Sequence, residues 1–277
     1  MVKDITIGQF FPGKSFLHKL DARTKIVLTF AFIIFIFVCK NFWSMGLLCA
    51  FAIITYLLSR LSPKIIIKSF KPLLPIIFLT TILQLYYTKT GNVLFEWKFI
   101  TITDGGIYMA IFIAVRILTL LLMSSLLTYT TSPTDLTDAI EKLLSPLKVF
   151  KIDVHTFAMM MTIALRFIPT LLDETDKIIK AQQARGADFD TGNLIQKAKA
   201  MVPLLVPLFI SAFRRANDLA MAMEARCYRG GEGRTKMKPL KYEARDRKAY
   251  VIIVVYLLVM IGSAWLGDVL LGIMIGR

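Results

Sequence analysis

The chain has 277 residues, of which 56% are hydrophobic and 19% are charged, and its formal net charge is +15. A soluble domain carries roughly 45–50% apolar and about 25% charged residues, so this composition excludes an ordinary soluble protein. The 15 glycines show no period and the cysteines number only three, which excludes a collagen-like fibre and a secreted disulfide scaffold. The composition predicts an integral membrane protein.

Hydrophobic segments long enough to cross a bilayer recur along the chain, since one membrane helix needs about 17–25 mostly apolar residues. The predicted spans are two helices within residues 26–59, joined at residues 40–43, and single helices at 72–88, 105–131 and 249–267. The sequence therefore predicts an all-α integral membrane protein with about five transmembrane helices, accompanied by long cytoplasmic helices before the last span.

The basic residues are distributed unevenly between the two sides of this topology. With the N-terminus in the cytoplasm, 29 of the 34 Lys and Arg residues fall on the cytoplasmic side, Arg116 lies within a span, and four lie outside: Lys40, Lys89, Lys98 and Arg277. Cytoplasmic loops carry an excess of Lys and Arg. The bias predicts a multi-pass protein of the cell membrane with an external C-terminus, and it explains most of the charge without a nucleic-acid partner.

This topology divides the chain into three regions. Residues 1–131 form an N-terminal cytoplasmic segment with a four-helix membrane region, residues 132–248 form a cytoplasmic region, and residues 249–277 form the last transmembrane helix. The middle region holds 20 basic and 14 acidic residues. Its own net charge is therefore small compared with that of the whole chain.

Two apolar stretches of the middle region, 154–172 and 200–213, predict long helices at or below the membrane face. If both crossed the bilayer, the basic residues between them would lie outside, against the charge bias. Because Gly commonly follows the last residue of a helix, the first helix is predicted to end near Arg185-Gly186. The second is predicted to start after Asn193 and to end near Arg226.

Residues Gly8 to Ser15 match the Walker A pattern of nucleotide-binding loops, G-x-x-x-x-G-K-[ST]. A functional loop of this kind joins a core strand to a helix within a parallel sheet. Here seven residues precede the match and a membrane helix starts soon after it, so we interpret the match as chance. We expect this chain not to hydrolyse ATP.

The pattern A-x-x-A-R occurs twice, at Ala181–Arg185 and Ala222–Arg226, and each copy lies at the end of a long predicted helix. Arg carries a planar guanidinium with five donors, which suits recognition of a partner. Arg in the last turn also complements the helix dipole, and this alone would explain either copy. The repetition keeps both interpretations open.

Four segments together resemble one known family, in the same order and over essentially the whole chain. They are 17–25 (LHKLDARTK), 165–172 (LRFIPTLL), 184–188 (ARGAD) and 225–231 (ARCYRGG). The chain is similar to the transmembrane coupling subunit, or T component, of energy-coupling-factor (ECF) transporters for vitamins and micronutrients. It departs from the family pattern at Ala22, where proline is usual, and at Cys227, which replaces the glycine of the second Ala-Arg-Gly motif.

The resemblance implies a non-catalytic subunit of an ABC-type importer. It couples ATP hydrolysis by two cytoplasmic ABC-type ATPases, identical or homologous, to reorientation of a small membrane subunit that binds the substrate. The residues implied in ATPase docking are Ala184, Arg185, Gly186, Ala225 and Arg226. Because of Cys227, it stays open whether the second helix ends with the same backbone geometry or later, at Gly230-Gly231.

Methionines concentrate on the two long predicted helices, at Met159, Met160, Met161, Met221 and Met223. Met side chains are adaptable and recur on surfaces that accept several partners. The resemblance therefore implies that they contact the substrate-binding subunit, of which several interchangeable forms could share one coupling subunit. Ordinary core packing is the alternative interpretation.

Arg116 suggests a different class of transporter, because an ionisable residue inside a span marks a functional site by default. In this alternative the chain is a stand-alone secondary transporter, and Arg116 contacts an anionic substrate at mid-membrane. Pairing within the helix bundle, or snorkelling of the side chain to the membrane surface, explains the residue equally well. The two histidines lie far apart and outside any metalloprotease motif. We therefore expect no catalytic residue, no metal and no cofactor.

Overall fold

A computed structural model describes residues 10–274, except 40, 98–99, 188, 190–192, 232, 234, 236 and 238. These residues form two compact units, which are described separately. The larger unit comprises residues 10–139 and 240–274, and the smaller unit comprises residues 140–239. Several residues discussed above lie outside the described part of the chain, namely Gly8, Lys40, Lys98 and Arg277.

Helices make up most of both units. The larger unit contains α1 (Ala22–Val38), α2 (Phe42–Ser59), α3 (Pro63–Phe70), α4 (Leu74–Tyr87), α5 (Asp104–Thr130) and α9 (Ala244–Met274). The helix α6 (Pro133–Leu143) spans the sequence boundary between the units, and the smaller unit contains α7 (Val154–Ala184) and α8 (Leu194–Ala225). A 3-10 turn at Lys71–Leu73 joins α3 to α4, where Pro72 interrupts regular helix hydrogen bonding.

Four helical segments in the described residues are long and apolar enough to cross a membrane: Phe42–Ser59, Pro63–Tyr87, Asp104–Thr130 and Val154–Ala184. Three of them overlap predicted spans, and the all-α membrane fold is confirmed. The first predicted span corresponds to α1, which has 17 residues, and the last lies within α9. The fourth segment is α7, whose placement outside the bilayer stays a prediction from the charge bias.

A two-stranded antiparallel sheet, β1 (Val93–Trp97) and β2 (Ile100–Thr103), was not anticipated from the sequence. Its residues are mostly β-branched or aromatic, which suits strands. Thr103 ends β2 and also caps α5, because its hydroxyl accepts a hydrogen bond from the Gly106 amide at 3.2 Å. The same hydroxyl donates to the Thr88 carbonyl at 3.0 Å, so the hairpin is tied to the end of α4.

The core of the larger unit lies where α1, α2, α5 and α9 meet. Its fully or nearly fully buried side chains come from all four helices: Phe32, Ile36, Met45, Leu48, Ala52, Phe112, Met123, Leu126 and Met260. Many other large apolar side chains of these helices are exposed, for example Phe30 and Ile34 on α1. Helices that are apolar on all sides suit a lipid environment.

A buried carboxylate ties the start of α9 to the start of α1. Asp246 is 1% exposed. Its two oxygens accept hydrogen bonds from the backbone amides of Asp21, at 2.9 Å, and Glu243, at 2.8 Å. Asp21 in turn caps α1 by accepting from the Arg23 amide at 2.9 Å, and the Arg23 guanidinium lies 3.9 Å from the ring centre of Tyr242. Segments more than 200 residues apart thus share one polar network.

The two long helices of the smaller unit begin and end near the predicted residues. Asp153 caps α7, and hydrogen bonds from the hydroxyl and amide of Thr156 hold the pKa of this carboxyl below its usual range. The predicted end near Arg185-Gly186 and the predicted end near Arg226 are both confirmed. Proline lies inside both helices, at Pro169 in α7 and at Pro203 and Pro207 in α8.

Both helices end with the same backbone hydrogen bonds. After α7, the amide of Gly186 donates to Gln183 O at 2.9 Å, and that of Ala187 donates to Gln182 O at 3.0 Å. After α8, the corresponding bonds are Cys227 to Glu224, at 2.8 Å, and Tyr228 to Met223, at 3.0 Å. This pair of bonds defines a Schellman motif, which requires a left-handed residue just after the helix.

Cys227 adopts that left-handed conformation, with φ of 55°, whereas Gly186 has φ of 89°. The second helix therefore ends at Cys227 with the same hydrogen-bond geometry, and Gly230-Gly231 is not needed for it. A side chain in this conformation costs roughly 1–2 kcal/mol, which glycine avoids.

We predict that Asp246→Ala lowers the free energy of unfolding of the chain in detergent by ~1–3 kcal/mol, because it leaves the buried amide of Asp21 and the half-buried amide of Glu243 without an acceptor. Asp246→Asn keeps one acceptor oxygen and should lose less. Asp218→Ala, which removes an exposed carboxylate on α8, is the matched control. Equal midpoints of denaturation for Asp246→Ala and Asp218→Ala would contradict the role of the network.

We predict that Cys227→Gly slows amide hydrogen exchange at residues 223–228 by a factor equivalent to about 1 kcal/mol, since it relieves the left-handed strain. Cys227→Ala retains the strain and should change little. Gly186→Ala should have the opposite effect on the end of α7, where open space around the residue leaves only the backbone cost. If Cys227→Ala slowed exchange as much as Cys227→Gly, the thiol and not the backbone would be responsible.

Candidate docking sites on the two long helices

The two candidate docking residues, Arg185 and Arg226, occupy equivalent positions at the ends of α7 and α8. Each is the last residue before the left-handed position of its Schellman motif, and both side chains are exposed. Among the residues that the structure describes, neither guanidinium has an ion pair or a hydrogen bond. The neighbouring Ala184, Gly186 and Ala225 are exposed as well, so small residues surround each guanidinium.

A polar cluster joins the two helices. Arg215 of α8 donates to Oε2 of Glu174 on α7 through its NH2 group at 2.9 Å and its Nε at 3.3 Å. The hydroxyl of Ser211 donates to the other carboxylate oxygen. The carboxylate is therefore bound at both oxygens, and it connects α7 to α8 at this point.

Both candidate arginines lie equally far from this cluster along their own helices. Arg185 follows Glu174 by 11 residues, and Arg226 follows Arg215 by 11 residues. Eleven residues correspond to ~16 Å and about three turns, so each arginine lies near the helix face that carries the ion pair. Each of these stretches comes after the last proline of its helix, and regular helix therefore connects the ion pair to the arginine.

An apolar groove of 660 Å³ lies beside the ion pair, lined by Leu171 and Thr175 of α7 and by residues 205–212 of α8. The apolar face of α8 is largely exposed; its members recur at helical spacing and are Val202, Leu205, Val206, Phe209, Ile210 and Phe213. This face was not among the predicted sites. The apolar run 200–213 predicted a helix, but it did not indicate which side of that helix is exposed.

The five methionines differ in exposure. Met160, Met161 and Met221 are 54%, 42% and 68% exposed, whereas Met159 and Met223 are half-buried. Met159, Met160 and Met161 lie near the start of α7, and Met221 and Met223 lie near the end of α8. The carbonyl of Met223 also accepts the bond that closes the second Schellman motif. Three of the five side chains are thus accessible to a partner.

Glu174 and Arg215 were also missed by sequence reasoning. They are separated by 41 residues, which is the separation of Arg185 and Arg226. The spacing between the two A-x-x-A-R copies therefore indicated the spacing of this ion pair, since two helices in equivalent roles place a contact at equivalent positions. The charges alone could not reveal it, because the helices carry several other acidic and basic residues.

Arg116, the residue behind the alternative of a secondary transporter, has partners within the larger unit. Its NH2 group donates to the carbonyl of Cys39 at 2.7 Å, and its guanidinium lies 4.7 Å from the ring centre of Phe112. Cys39 follows the last residue of α1. Arg116 therefore caps the C-terminal end of α1, as expected for pairing within the bundle.

The described side chains include no group of three His, Cys, Asp or Glu residues placed to bind a metal ion. His155 lies 2.9 Å from a carboxylate oxygen of Glu141, and His18 contacts Ser15 and the carbonyl of Phe11. These two pairs lie in different units. The candidate sites consist of exposed guanidinium groups and exposed apolar side chains.

Comparisons with known proteins identify relatives of the chain. The family model described as "Cobalt transport protein" (CbiQ) matches residues 13–237. A Ruminiclostridium cellulolyticum protein named "Energy-coupling factor transporter transmembrane protein EcfT" is 56% identical over 93% of this chain and 96% of its own length. Proteins of the same name from Clostridium kluyveri and Bacillus subtilis are 55% and 46% identical, over 89% and 92% of this chain and 92% and 96% of their own lengths.

Both the family match and these identities extend over most of the chain, including the two long helices and their ends. The resemblance seen in the sequence motifs is confirmed, and the relatives are named as transmembrane subunits of a transporter. The chain therefore belongs to the cobalt transport protein (CbiQ) family, as a membrane-embedded T component of energy-coupling-factor transporters.

Proposed function

We propose that this subunit couples ATP hydrolysis by two cytoplasmic ABC-type ATPases to reorientation of a small membrane subunit that binds a vitamin or micronutrient. In this proposal the N-terminus and residues 132–248 lie in the cytoplasm, and the chain itself is not catalytic. The observation that supports the proposal most directly is the symmetry of α7 and α8. Two exposed arginines with the same helix cap lie equally far from one ion pair.

Each arginine would bind one ATPase. A guanidinium forms charge-assisted, often bidentate hydrogen bonds with carboxylates, so an acidic groove on the ATPase is the complementary surface. The Schellman motifs support this role because they satisfy the last carbonyls of each helix within the backbone. The guanidinium groups of Arg185 and Arg226 therefore stay available for a partner.

The ion pair between Glu174 and Arg215 would act as the pivot of the coupling movement. When two ATPases approach each other on binding ATP, they would carry Arg185 and Arg226 with them. Uninterrupted helix transmits this displacement over ~16 Å to the contact between α7 and α8. The crossing of the two helices then changes about a fixed point, a hinge-like rearrangement of packed elements.

The substrate-binding subunit would contact the exposed apolar face of α8 together with the accessible methionines. A change in the crossing of α7 and α8 moves this face, and a membrane subunit bound to it would reorient. Adaptable methionine side chains suit one surface that accepts several interchangeable partners. The identity of the transported compound would then be set by the substrate-binding subunit.

We predict that Arg185→Glu and Arg226→Glu each reduce the amount of ATPase that copurifies with this subunit, and that the double variant abolishes it together with substrate uptake. Placing a carboxylate against an acidic groove converts attraction into repulsion. The measurement is affinity purification from membranes followed by uptake in reconstituted vesicles. Arg214→Glu, an equally exposed charge reversal on α8, should copurify normally.

Normal copurification by the double variant would show that the ATPases dock elsewhere. Uptake by this chain alone, in vesicles without ATP, would instead support a stand-alone transporter. Recovery of the intact complex with two ATPase subunits and one small membrane protein is the expected result for the unmodified chain.

We predict that Glu174→Arg separates docking from transport. Arg185 and Arg226 are untouched, so the ATPases should copurify and hydrolyse ATP, while uptake falls at least tenfold because the pivot now carries like charges. The exchange variant Glu174→Arg/Arg215→Glu should recover a large part of the uptake. If the exchange variant transported no better than the single variant, the ion pair would not be the pivot.

A further inference from the structure

Two cavities adjoin each other at the end of the larger unit where α1 begins and α2 ends. The first is a groove of 590 Å³ between α1, α2, α5 and α9. The second, of 490 Å³, is lined by Lys14, Ser15, Arg60 and neighbouring residues of α2. Phe16, Ile54 and Leu58 line both cavities, so the two form one continuous site.

The groove is apolar along its length. Leu28, Phe51, Val255 and Val259 are among the lining residues, and the charged residue that lines it, Lys25, already donates to the Thr130 carbonyl at 2.8 Å. The stretch of α9 from Val251 to Val259 extends over ~12 Å. This length is close to half of the hydrocarbon core of a bilayer, which is about 30 Å thick.

The second cavity forms a cationic mouth to this groove. Lys14 and Arg60 are exposed, and within the described part of the chain neither side chain has an ion pair or a hydrogen bond. Among the residues that the structure describes, none of those lining either cavity is acidic. Arg60 is positioned by the end of α2, where it adopts φ of 56° and its amide donates to Leu57 O at 3.3 Å.

The segment that carries Lys14 is held in place by a small hydrogen-bond network. The Nε2 atom of His18 lies 2.9 Å from the Phe11 carbonyl, and Nδ1 lies 2.6 Å from the Ser15 hydroxyl. A carbonyl only accepts, so Nε2 donates, and in the neutral imidazole Nδ1 accepts from Ser15. Burial lowers the pKa of His18, which favours this neutral form at pH 7. The backbone that carries Lys14 is therefore held at the edge of the site.

We propose that this continuous site binds an anionic glycerophospholipid. Its phosphate lies between Lys14 and Arg60, and one acyl chain occupies the groove between α1, α2, α5 and α9. A basic pocket beside membrane helices at the predicted cytoplasmic side is the arrangement that retains anionic headgroups. An apolar protein surface would fill the groove but leave two cations unpaired, and a soluble anion would pair the cations but leave the groove empty. A phospholipid satisfies both parts.

The proposal predicts a lipid that remains bound through purification. In native mass spectrometry of the delipidated chain, with phosphatidylglycerol or phosphatidylcholine added back, we expect one phosphatidylglycerol to be retained in preference to phosphatidylcholine. Each basic residue near an anionic headgroup contributes about fivefold to affinity, so Lys14→Ala/Arg60→Ala should bind roughly 30-fold more weakly. Lys64→Ala/Lys68→Ala removes the same charge from exposed positions of α3 and should retain the lipid.

A second pair of variants tests the groove independently of charge. Val255→Trp narrows the groove and should reduce retention, whereas Ile261→Trp places the same side chain at an exposed position outside the lining and should not. If inorganic phosphate stabilised the chain against unfolding as much as phosphatidylglycerol does, the site would bind only a free anion. Equal retention of the two lipids by the unmodified chain, or loss in the Lys64→Ala/Lys68→Ala variant, would overturn the proposal. The proposal would also be overturned if the Lys14→Ala/Arg60→Ala variant lost a copurifying membrane protein but kept its lipid.

Discussion

The structure depends above all on satisfying the polar groups at the ends of its helices. A helix leaves four amides and four carbonyls without partners within the helix, and in or near a bilayer water supplies few replacements. The ends of α1 show the solution. Asp21 and Asp246 accept hydrogen bonds from amides at or near its start, and Arg116 donates to the Cys39 carbonyl just beyond its last residue. A charged side chain that is alone in an apolar core destabilises the fold. As a helix cap it does so much less, because it meets a partial charge of opposite sign.

This constraint separates the charges of the chain into two groups. Lys25, which donates to the Thr130 carbonyl at the end of α5, belongs with Arg116 and Asp246 in the first group, whose members serve the fold. Arg185, Arg226, Lys14 and Arg60 form the second group, whose members are exposed and have no partner within the described residues. At three of these four positions the backbone completes the helix end by itself, so the side chain is not needed there. The proposed contacts with ATPases and with lipid all come from the second group.

The sequence predicted the features that depend on local signals. The apolar runs predicted α1, α2, α4, α5 and α9, and Gly186 predicted the end of α7. The hairpin β1–β2 was missed because its strands are only five and four residues long and lie between two spans. The partners of Arg116 and Asp246 were also beyond sequence reasoning, since each bond joins residues 77 or 225 positions apart. A cap from a distant helix leaves no periodic pattern.

The second helix end shows why a motif can be retained without its most characteristic residue. Cys227 stands where the family pattern has glycine. This difference predicts a changed helix end only if the residue at this position alone sets the left-handed conformation. Two backbone hydrogen bonds to Glu224 and Met223 also hold it, and together they outweigh a strain of roughly 1–2 kcal/mol. The position of Arg226 therefore depends on the hydrogen-bond pattern and not on the glycine itself.

The ion pair between α7 and α8 is suited to a contact that must both define a position and permit movement. The side chains of Arg215 and Glu174 are 39% and 24% exposed, and pairs of this kind contribute little net stability, about 0–1 kcal/mol. A tightly packed apolar contact would hold the helices more firmly, but it would also resist a change in their crossing. With a partly open groove of 660 Å³ beside it, the pair fixes which residues meet while leaving the angle between the helices adjustable. In the proposed mechanism, the two arginines at the helix ends supply the force that adjusts it.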